Sequence, residues 1–294
     1  MTRPTWSTKG RFIGLRVRNV VGTRERMARS GPISTFDTYI IISHESWRYC
    51  MKLLIIRHGD PDYEHDSLTE TGWNEAKLLA ERLYKTEIIK EFYVSPMGRA
   101  RDTASLTLKK FGQEAVILPW LREFNEALIR RPDVPERDMI SWDWLPQDWT
   151  KEPLFYDSEH WLDANVFRIS SVPEVFHQVT SSLDEFLLDH GYRHEGNLFR
   201  VDHASPDTIA FFCHFGVECV LLAHLLHISP MQLWHGFCAA PSSVTTIYTE
   251  ERRKGYAQFR VSSFGDISHL YAGGYSSSFA ARFAEIYGNG DRLD

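Results

Sequence analysis

Two short apolar segments, each running directly into a histidine, constrain the fold of this chain more than any other feature. One reads LLIIRHG and ends at Arg57 and His58, and the other reads TIAFFCH and ends at His214. Short apolar runs of this kind are typical of strands that are buried on both faces of a sheet. Segments with helical periodicity lie between them, so the sequence predicts strands that alternate with helices.

The same alternation continues through most of the chain. Apolar residues at helical spacing predict helices over about 73–83 and 172–187, and further helices are predicted over about 98–110 and 217–226. Strands are predicted over about 52–56, 91–95, 115–121, 208–214, 244–249 and 256–262, the last two being joined by the charged turn EERRKG. This order predicts an α/β fold with a mainly parallel central sheet and helices on both faces.

In a sheet of this kind the ligand binds beyond the carboxyl ends of the strands. Arg57, His58 and His214 all lie at such ends, so we expect them to share one pocket although they are far apart in the sequence. The guanidinium of arginine matches the oxygens of a phosphate group, and a neutral imidazole nitrogen can attack phosphorus. The pattern therefore predicts phosphoryl transfer to His58.

A phosphate dianion needs more than one cationic partner, and the segment SPMGRARDTA supplies a second arginine, Arg99 or Arg101. The segment follows a predicted strand and opens a predicted helix, and helix N-termini favour anions. His214 is expected to be a further donor that stabilises charge on the group being transferred.

Phosphoryl transfer from an ester also needs a general acid, because an alkoxide is a poor leaving group. Glu123 lies just after the third predicted strand, in the segment LREFNE, and is the first candidate for this role. Asp60 and Glu126 are alternative acids in the same part of the predicted fold.

The motifs LLIIRHG, LTETGWNEA, YVSPMGRARDTA, LREF and FFCHFG occur here in an order that resembles the histidine phosphatase superfamily, in its phosphoglycerate mutase-like branch. The resemblance covers about residues 51–123 and 208–250. It implies a three-layer α/β/α sandwich and a metal-independent reaction without a cofactor. It also implies a role for five side chains: His58 as the phosphorylated nucleophile, Arg57, Arg99 and His214 in the phosphate pocket, and Glu123 as the proton donor.

The sequence departs from this resemblance at several positions. Many members of the superfamily carry Ser or Thr, and then Asn, where this chain has Pro61 and Glu64. The acid phosphatase and phytase branch has Asp directly after the second histidine, where this chain has Phe215, so Glu123 is the better candidate acid. The Gly-x-x-Glu-Gly pattern of the mutases is absent from the segment FNEALIRR.

Residues 124–170 do not fit the alternation of strands and helices. They hold four of the nine tryptophans, and residues 124–165 contain ten acidic residues against four Lys or Arg. Long segments outside the regular elements are usually functional, so we interpret this one as an insertion over the active site. The alternative is an aromatic-rich surface subdomain that is unrelated to substrate. Residues of this insertion and of neighbouring motifs are the candidates for the substrate pocket: Asp60, Pro61, Trp142, Trp144, His235 and Ser243.

These observations predict a phosphomonoester hydrolase that transfers phosphate from a small-molecule substrate to His58 and then to water. A phosphoglycerate mutase-type phosphotransferase is the first alternative, although the acidic insertion would repel a bisphosphorylated intermediate. A non-catalytic phospho-ligand binding protein is the second alternative. It is disfavoured because a binding protein has no need of an acid such as Glu123.

Composition and charge limit the other classes of protein. The net charge of −6 divides into +6 over residues 1–50 and −12 over residues 51–294, so the body of the chain is not typical of nucleic-acid binding. It contains no apolar run of the roughly 18 residues that a membrane helix needs. The four cysteines have no zinc-like spacing, and His224 and His227 lack an apparent third ligand. We therefore predict a cytoplasmic protein without a metal site.

Residues 1–50 differ from the rest of the chain because they are rich in arginine and poor in acidic residues. Met51 resembles a start residue, so we interpret residues 1–50 as an N-terminal extension that is not native or not needed for activity. Residues 51–294 are then one histidine phosphatase domain. An organelle transit peptide or a structured N-terminal element are the alternatives. We expect turnover to survive the removal of residues 1–50.

Overall fold

A computed structural model of the protein describes residues 50–132, 134–142 and 144–278. The expectations for the N-terminal extension therefore lie outside the described residues, apart from Cys50. None of the helices in the described part combines the length and the apolar character that crossing a membrane would require.

The described strands are β1 (Lys52–Arg57), β2 (Pro61–Asp62), β3 (Ser67–Leu68), β4 (Ile89–Val94), β5 (Val116–Ile117), β6 (Leu128–Ile129), β7 (Met139–Ile140), β8 (Tyr192–Glu195), β9 (Leu198–Val201), β10 (Thr208–Cys213), β11 (Val244–Arg253) and β12 (Tyr256–Asp266). The α-helices are α1 (Glu70–Thr86), α2 (Gly98–Phe111), α3 (Pro146–Trp149), α4 (Asn165–Arg168), α5 (Val172–Asp189), α6 (Phe215–Leu226), α7 (Pro230–Gly236) and α8 (Ser268–Ala272). Short 3-10 helices cover Pro119–Leu121, Pro153–Tyr156 and Trp161–Asp163.

The central sheet has eight strands in the order β5–β4–β10–β1–β11–β12–β9–β8. The first four strands of this order are parallel, whereas every pairing from β1 to β8 is antiparallel. The prediction of a mainly parallel sheet is therefore wrong for half of the sheet. The charged turn between β11 and β12 is too short for a crossover helix, and two strands joined by such a turn must run in opposite directions.

Helices cover both faces of the sheet, which confirms the predicted three layers. Along β1, Leu54 and Ile56 pack into a core with residues of α1 and α2. Leu53 and Ile55 pack on the opposite face, into a larger core with residues of α5 and α6. Successive side chains of a strand point to opposite faces, so a strand that is apolar at every position must be covered on both sides.

The insertion at residues 124–170 forms short elements, and most of its aromatic rings are buried, although Tyr156 is exposed. Trp142, Trp144 and Trp161 are each at most 7% exposed. Trp161 packs edge-on against Trp234 of α7 at 5.9 Å, and Ser229 before α7 donates a hydrogen bond of 2.6 Å to the carbonyl of Phe155. These aromatic residues therefore build a core against the main body and do not form an exposed aromatic surface.

Candidate active site

The parallel pairing of β1 with β10 brings the two strand-end histidines together. The register places Arg57 opposite Cys213, so the residues that follow, His58 and His214, are neighbours. Their ring centroids are 5.1 Å apart, and the two residues are 2% and 0% exposed. The prediction that residues from distant parts of the sequence meet at this edge is confirmed by this contact.

The hydrogen bonds of His58 define which ring nitrogen can react. Its Nδ1 lies 2.7 Å from the carbonyl oxygen of Gly59. A carbonyl can only accept, so Nδ1 carries the proton and Nε2 keeps its lone pair. Burial, together with the positive charges of Arg57 and Arg99, lowers the pKa of His58 well below its usual value. The ring is therefore neutral at physiological pH, as a nucleophile must be.

Two buried arginines flank this ring. Arg57 is 3% exposed, donates to the carbonyl of Ala239 and lies 5.6 Å from the ring centroid of Phe215. Arg99 is 5% exposed, and its Nη1 donates a 2.6 Å hydrogen bond to Oδ1 of Asp66. The other oxygen of Asp66 accepts from the backbone N–H of Gly98, also at 2.6 Å. A carboxylate thus already occupies the N-terminus of α2, which shows that this end of the helix stabilises negative charge.

His214 is fixed by a serine from the motif SPMGRARDTA. The hydroxyl of Ser95 lies 2.7 Å from Nε2 of His214, and the backbone N–H of Met97 donates to the same hydroxyl. Burial, followed by the nearby His58 ring and the positive charges of Arg99 and Arg57, lowers the pKa of His214 well below its usual value. When the Ser95 hydroxyl donates to Nε2, the proton of the neutral ring resides on Nδ1.

Glu123 lies at the N-terminus of α6, the helix whose N-cap residue is His214. Its Oε1 accepts hydrogen bonds from the N–H groups of Phe124 at 2.7 Å and Val217 at 3.1 Å. A side chain at Gly216 would place its Cβ only 2.5 Å from this oxygen, so glycine is needed there. Burial raises the pKa of Glu123, although the Phe124 N–H and the Arg57 charge act in the opposite direction.

The sulfur of Met97 connects Glu123 to Arg99. It lies 3.5 Å both from the backbone nitrogen of Glu123 and from Nη2 of Arg99. The alternative acid Glu126 instead forms an exposed ion pair with Arg122 at 2.9 Å, and Arg101 is exposed on α2. The structure therefore brings together the five side chains that the resemblance assigned to the site.

The loop after His58 is held by contacts that the sequence reasoning missed. The N–H of Gly59 donates to Oγ1 of Thr103 at 2.9 Å, and this hydroxyl donates to the carbonyl of Arg99 at 2.7 Å. A Cβ on Gly59 would lie 2.8 Å from the carbonyl oxygen of Gly72, so the glycine permits a close approach of α1. Thr103, Ser95 and Asp66 were not predicted. The first two belong to a motif that was recognised, so their hydroxyl groups were the signal that could have identified them.

Three of the predicted pocket residues lie in the loops next to β1. The carboxylate of Asp60 accepts a 2.6 Å hydrogen bond from Thr69, the N-cap of α1, so Asp60 stabilises the start of this helix. Pro61 pairs with Leu68 in the hairpin of β2 and β3. Ser243 is 1% exposed, and its carbonyl accepts from the backbone N–H of Arg57 at 3.1 Å.

The other three predicted pocket residues belong to the insertion and to α7. Trp142 packs edge-on against Phe215, the first residue of α6, at 6.0 Å, so this part of the insertion adjoins the site. Trp144 packs against buried aromatic rings, and its backbone N–H donates to Nε2 of His235 at 3.0 Å. Nδ1 of His235 donates to the carbonyl of Met231 at 2.7 Å. Both ring nitrogens of His235 are thus used by the backbone, and burial lowers its pKa to about 4.

Among the described residues, the group of side chains whose atoms are close enough to hold a metal ion lies elsewhere, at Asp184, His194 and His224. The side chains around His58 offer buried cations and imidazole nitrogens, which is an arrangement suited to an anion. The prediction of no metal site did not consider Asp184 or His194.

A family model described as histidine phosphatase superfamily (branch 1) matches residues 53–261. The chain belongs to this superfamily. The matched range contains β1 except its first residue, all of β10 and the five side chains of the site, so the resemblance that the motifs indicated is confirmed.

Individual relatives match at low to moderate identity. A probable phosphoglycerate mutase GpmB of Photorhabdus laumondii is 33% identical over 93 residues, which cover 29% of this chain and 43% of that protein. A probable phosphatase of Schizosaccharomyces pombe is 25% identical over 236 residues, covering 75% of this chain and 95% of that protein. The mitochondrial serine/threonine-protein phosphatase Pgam5 of Caenorhabditis elegans is 26% identical over 221 residues, which cover 74% of this chain and 63% of that protein. The chain thus spans less than half of the first relative and under two thirds of the third.

Proposed function

We propose that this protein is a phosphomonoester hydrolase that acts through a phosphohistidine at His58. One observation carries the proposal: the Nδ1–H of His58 donates to the Gly59 carbonyl, which leaves Nε2 as a lone pair in a buried site between Arg57 and Arg99. Membership of the histidine phosphatase superfamily supports the same reaction class.

In the first step Arg57 and Arg99 hold the phosphate of the substrate. Nε2 of His58 attacks phosphorus, and the bond between phosphorus and the ester oxygen breaks. The departing oxygen takes a proton from Glu123, whose raised pKa keeps it protonated closer to neutral pH than an ordinary glutamate. The Nδ1–H of His214 donates to the group being transferred and stabilises its developing charge.

In the second step water replaces the alcohol as the partner of the phosphoryl group. The carboxylate of Glu123 accepts a proton from the water, whose oxygen attacks phosphorus. The bond to Nε2 breaks, inorganic phosphate leaves, and His58 returns to its neutral form. Glu123 is protonated again, so the cycle balances without a metal ion, and we propose that the reaction is metal-independent.

The test is a phosphatase assay on the full chain and on its His58→Ala variant, in the presence of a chelator. The substrates are an aryl phosphate, nucleotides, sugar phosphates, phosphoserine, a phosphoserine peptide and 3-phosphoglycerate, and quenched reactions are examined for acid-labile phosphoprotein. We expect hydrolysis and trapped phosphoprotein that both depend on His58. Substrate binding without turnover, or turnover that survives the substitution, would overturn the proposal.

A mutase is the second candidate, because the matched part of the GpmB protein is the most identical of the three relatives. In a mutase the second acceptor of the phosphoryl group is a hydroxyl of another substrate molecule. The acidic insertion beside the site would repel such a bisphosphorylated intermediate, so we favour water as the acceptor. Isomerisation of phosphoglycerate with little hydrolysis would decide for the mutase.

We propose a small-molecule phosphomonoester as the substrate, with neither nucleic acid nor a membrane as a partner. The acidic body of the chain disfavours nucleic acid. None of the four cysteines is in a disulfide, which supports a reducing compartment such as the cytoplasm. Comparing phosphoserine with the phosphoserine peptide in the same assay tests the size of the substrate.

A further inference from the structure

A second group of histidines lies at the opposite end of α6 from the proposed catalytic site. Asp184 of α5 faces His194 of β8 and His224 of α6. One carboxylate oxygen of Asp184 lies 2.7 Å from Nε2 of His224, and the other lies 3.2 Å from Nδ1 of His194. Three separate elements of the fold therefore direct nitrogen and oxygen donors at one point.

The spacing of these donors suits a metal ion. One donor atom from each of the three residues lies within 4.8 Å of the other two. Two imidazole nitrogens and a carboxylate are a common ligand set for Zn²⁺, which binds nitrogen and oxygen at roughly 2.0–2.2 Å. Magnesium and calcium prefer ligand sets made of oxygen alone, so these residues select against them.

The surroundings of the group also suit a bound ion. The side chains of Asp184, His194 and His224 are 31%, 24% and 13% exposed, so the group is accessible to an ion yet partly shielded from water. The His194 ring is held in place by two neighbouring rings, Phe199 with a centroid distance of 4.9 Å and His227 with one of 5.4 Å. Ligands that are oriented in advance lose less entropy when a metal binds.

We propose that Asp184, His194 and His224 form a binding site for a transition-metal dication, best suited to Zn²⁺, that joins α5, β8 and α6. The ion takes the place of the hydrogens that the two imidazoles now share with the carboxylate. Each neutral ring binds through the freed nitrogen, while its proton moves to the other ring nitrogen or to solvent. Three protein ligands leave a fourth tetrahedral position for water.

The site is separate from the proposed chemistry. His224 lies ten residues along α6 from His214, which corresponds to about 15 Å of helix at ~1.5 Å per residue. A metal at this distance cannot contact the phosphoryl group, so its role is structural. It would fix the edge hairpin of β8 and β9 to the helices that cover the sheet.

The test uses the metal-free full chain and titrates it with Zn²⁺ by calorimetry and with Co²⁺ by visible absorption. Tetrahedral Co²⁺ with nitrogen and oxygen ligands gives ligand-field bands that report the coordination directly. We expect the wild type to bind one ion per chain at this site. His224→Gln and Asp184→Asn should each lower the affinity for the ion by about 100-fold or more, because even substitutions of residues that only support a metal ligand cost 10–100-fold. Thermal unfolding with and without Zn²⁺ gives a second readout, because an ion that binds the folded chain raises Tm.

Two control variants separate this site from other metal-binding groups. His160→Gln removes an exposed histidine that pairs with one carboxylate, Asp163 at 3.0 Å, and it should bind metal like the wild type. His58→Ala tests binding of metal at the proposed catalytic histidines and should keep the Co²⁺ spectrum. Binding that is equal in wild type and His224→Gln, or no binding by the wild type, would overturn the proposal. Either result leaves the phosphatase proposal standing, because that assay is run with a chelator.

Discussion

The two ends of helix α6 carry histidine groups that have the same side chains but different neighbours. His58 and His214, at its N-terminal end, are fully buried beside Arg57 and Arg99, and burial and these charges lower the pKa of both rings. At the other end a half-buried His194 faces the carboxylate of Asp184, and its hydrogen bond to that carboxylate raises the pKa of His194.

This difference in neighbouring charge is the basis for proposing an anion at one group and a metal cation at the other. Burial and the neighbouring cations keep the first pair of rings neutral, which suits the phosphoryl transfer to His58 that we propose. A carboxylate beside the second group supplies the negative charge that a metal cation needs. Neither the segment RHG nor the isolated His224 shows in the sequence which charged side chains lie beside its histidine. The fold provides those neighbours, and they distinguish the two groups.

The largest expected effect is the difference in kcat between two variants, each of which lacks one histidine at one end of α6. We expect His58→Ala to lower kcat for an aryl phosphate by at least about 10³-fold, because the covalent nucleophile is lost. His224→Gln should leave kcat unchanged in the presence of a chelator, because His224 lies at the opposite end of α6 from the proposed catalytic site. Steady-state assays of both variants check this pair. Comparable losses in the two variants would mean that the ends of α6 are not functionally separate.

The second effect tests whether Glu123 donates the proton to the leaving group. For an alkyl phosphate, Glu123→Gln should lower kcat/KM by about 10²–10⁴-fold, the usual contribution of a general acid, whereas an aryl ester should lose far less because its leaving group needs less protonation. In the wild type, kcat/KM should fall at high pH as Glu123 ionises through its raised pKa, and at low pH as His58 gains a proton below its lowered pKa. The variant should lose the alkaline limb.

Profiles of kcat/KM against pH for both esters provide the measurement. Equal losses on alkyl and aryl esters, or an unchanged alkaline limb, would assign the acid role to another residue. Glu126→Gln is the matched control, because it removes an exposed carboxylate three residues further along the chain and should leave both profiles unchanged.

Much of the fold and the site could be predicted because the relevant signals are local. An apolar run that ends in RHG identifies β1 and the strand end that carries His58, and helical spacing identified α5 to within about two residues. The hairpin of β8 and β9 was missed because only Tyr192 and Phe199 of its residues are buried, so it lacks an apolar run. The group at Asp184 was missed because its three ligands come from three elements, and only packing brings them together.

The third effect concerns the arginine that we propose binds the phosphate together with Arg57. Arg99→Ala should lower kcat/KM by about 10–100-fold, the equivalent of a lost hydrogen bond to a charged group, mainly through a higher KM. Arg101→Ala is the matched control from the same turn of α2, and because Arg101 is exposed we expect no change. Steady-state kinetics on an aryl phosphate measure both. A larger loss in Arg101→Ala would reverse the assignment that the structure favours.

The smallest effect is on stability and concerns Glu218, a buried carboxyl on α6 between the two histidine groups. It is 1% exposed and accepts a hydrogen bond from Thr245, and burial raises its pKa to about 7. Because this folded-state value exceeds the unfolded one, the wild type should lose stability as pH rises from about 4.5 through 7, by on the order of 1–3 kcal/mol. Glu218→Gln cannot ionise and should lack this loss. Urea unfolding at pH 5 and pH 8 gives the comparison, and parallel changes in the two proteins would mean that Glu218 is charged in the folded state.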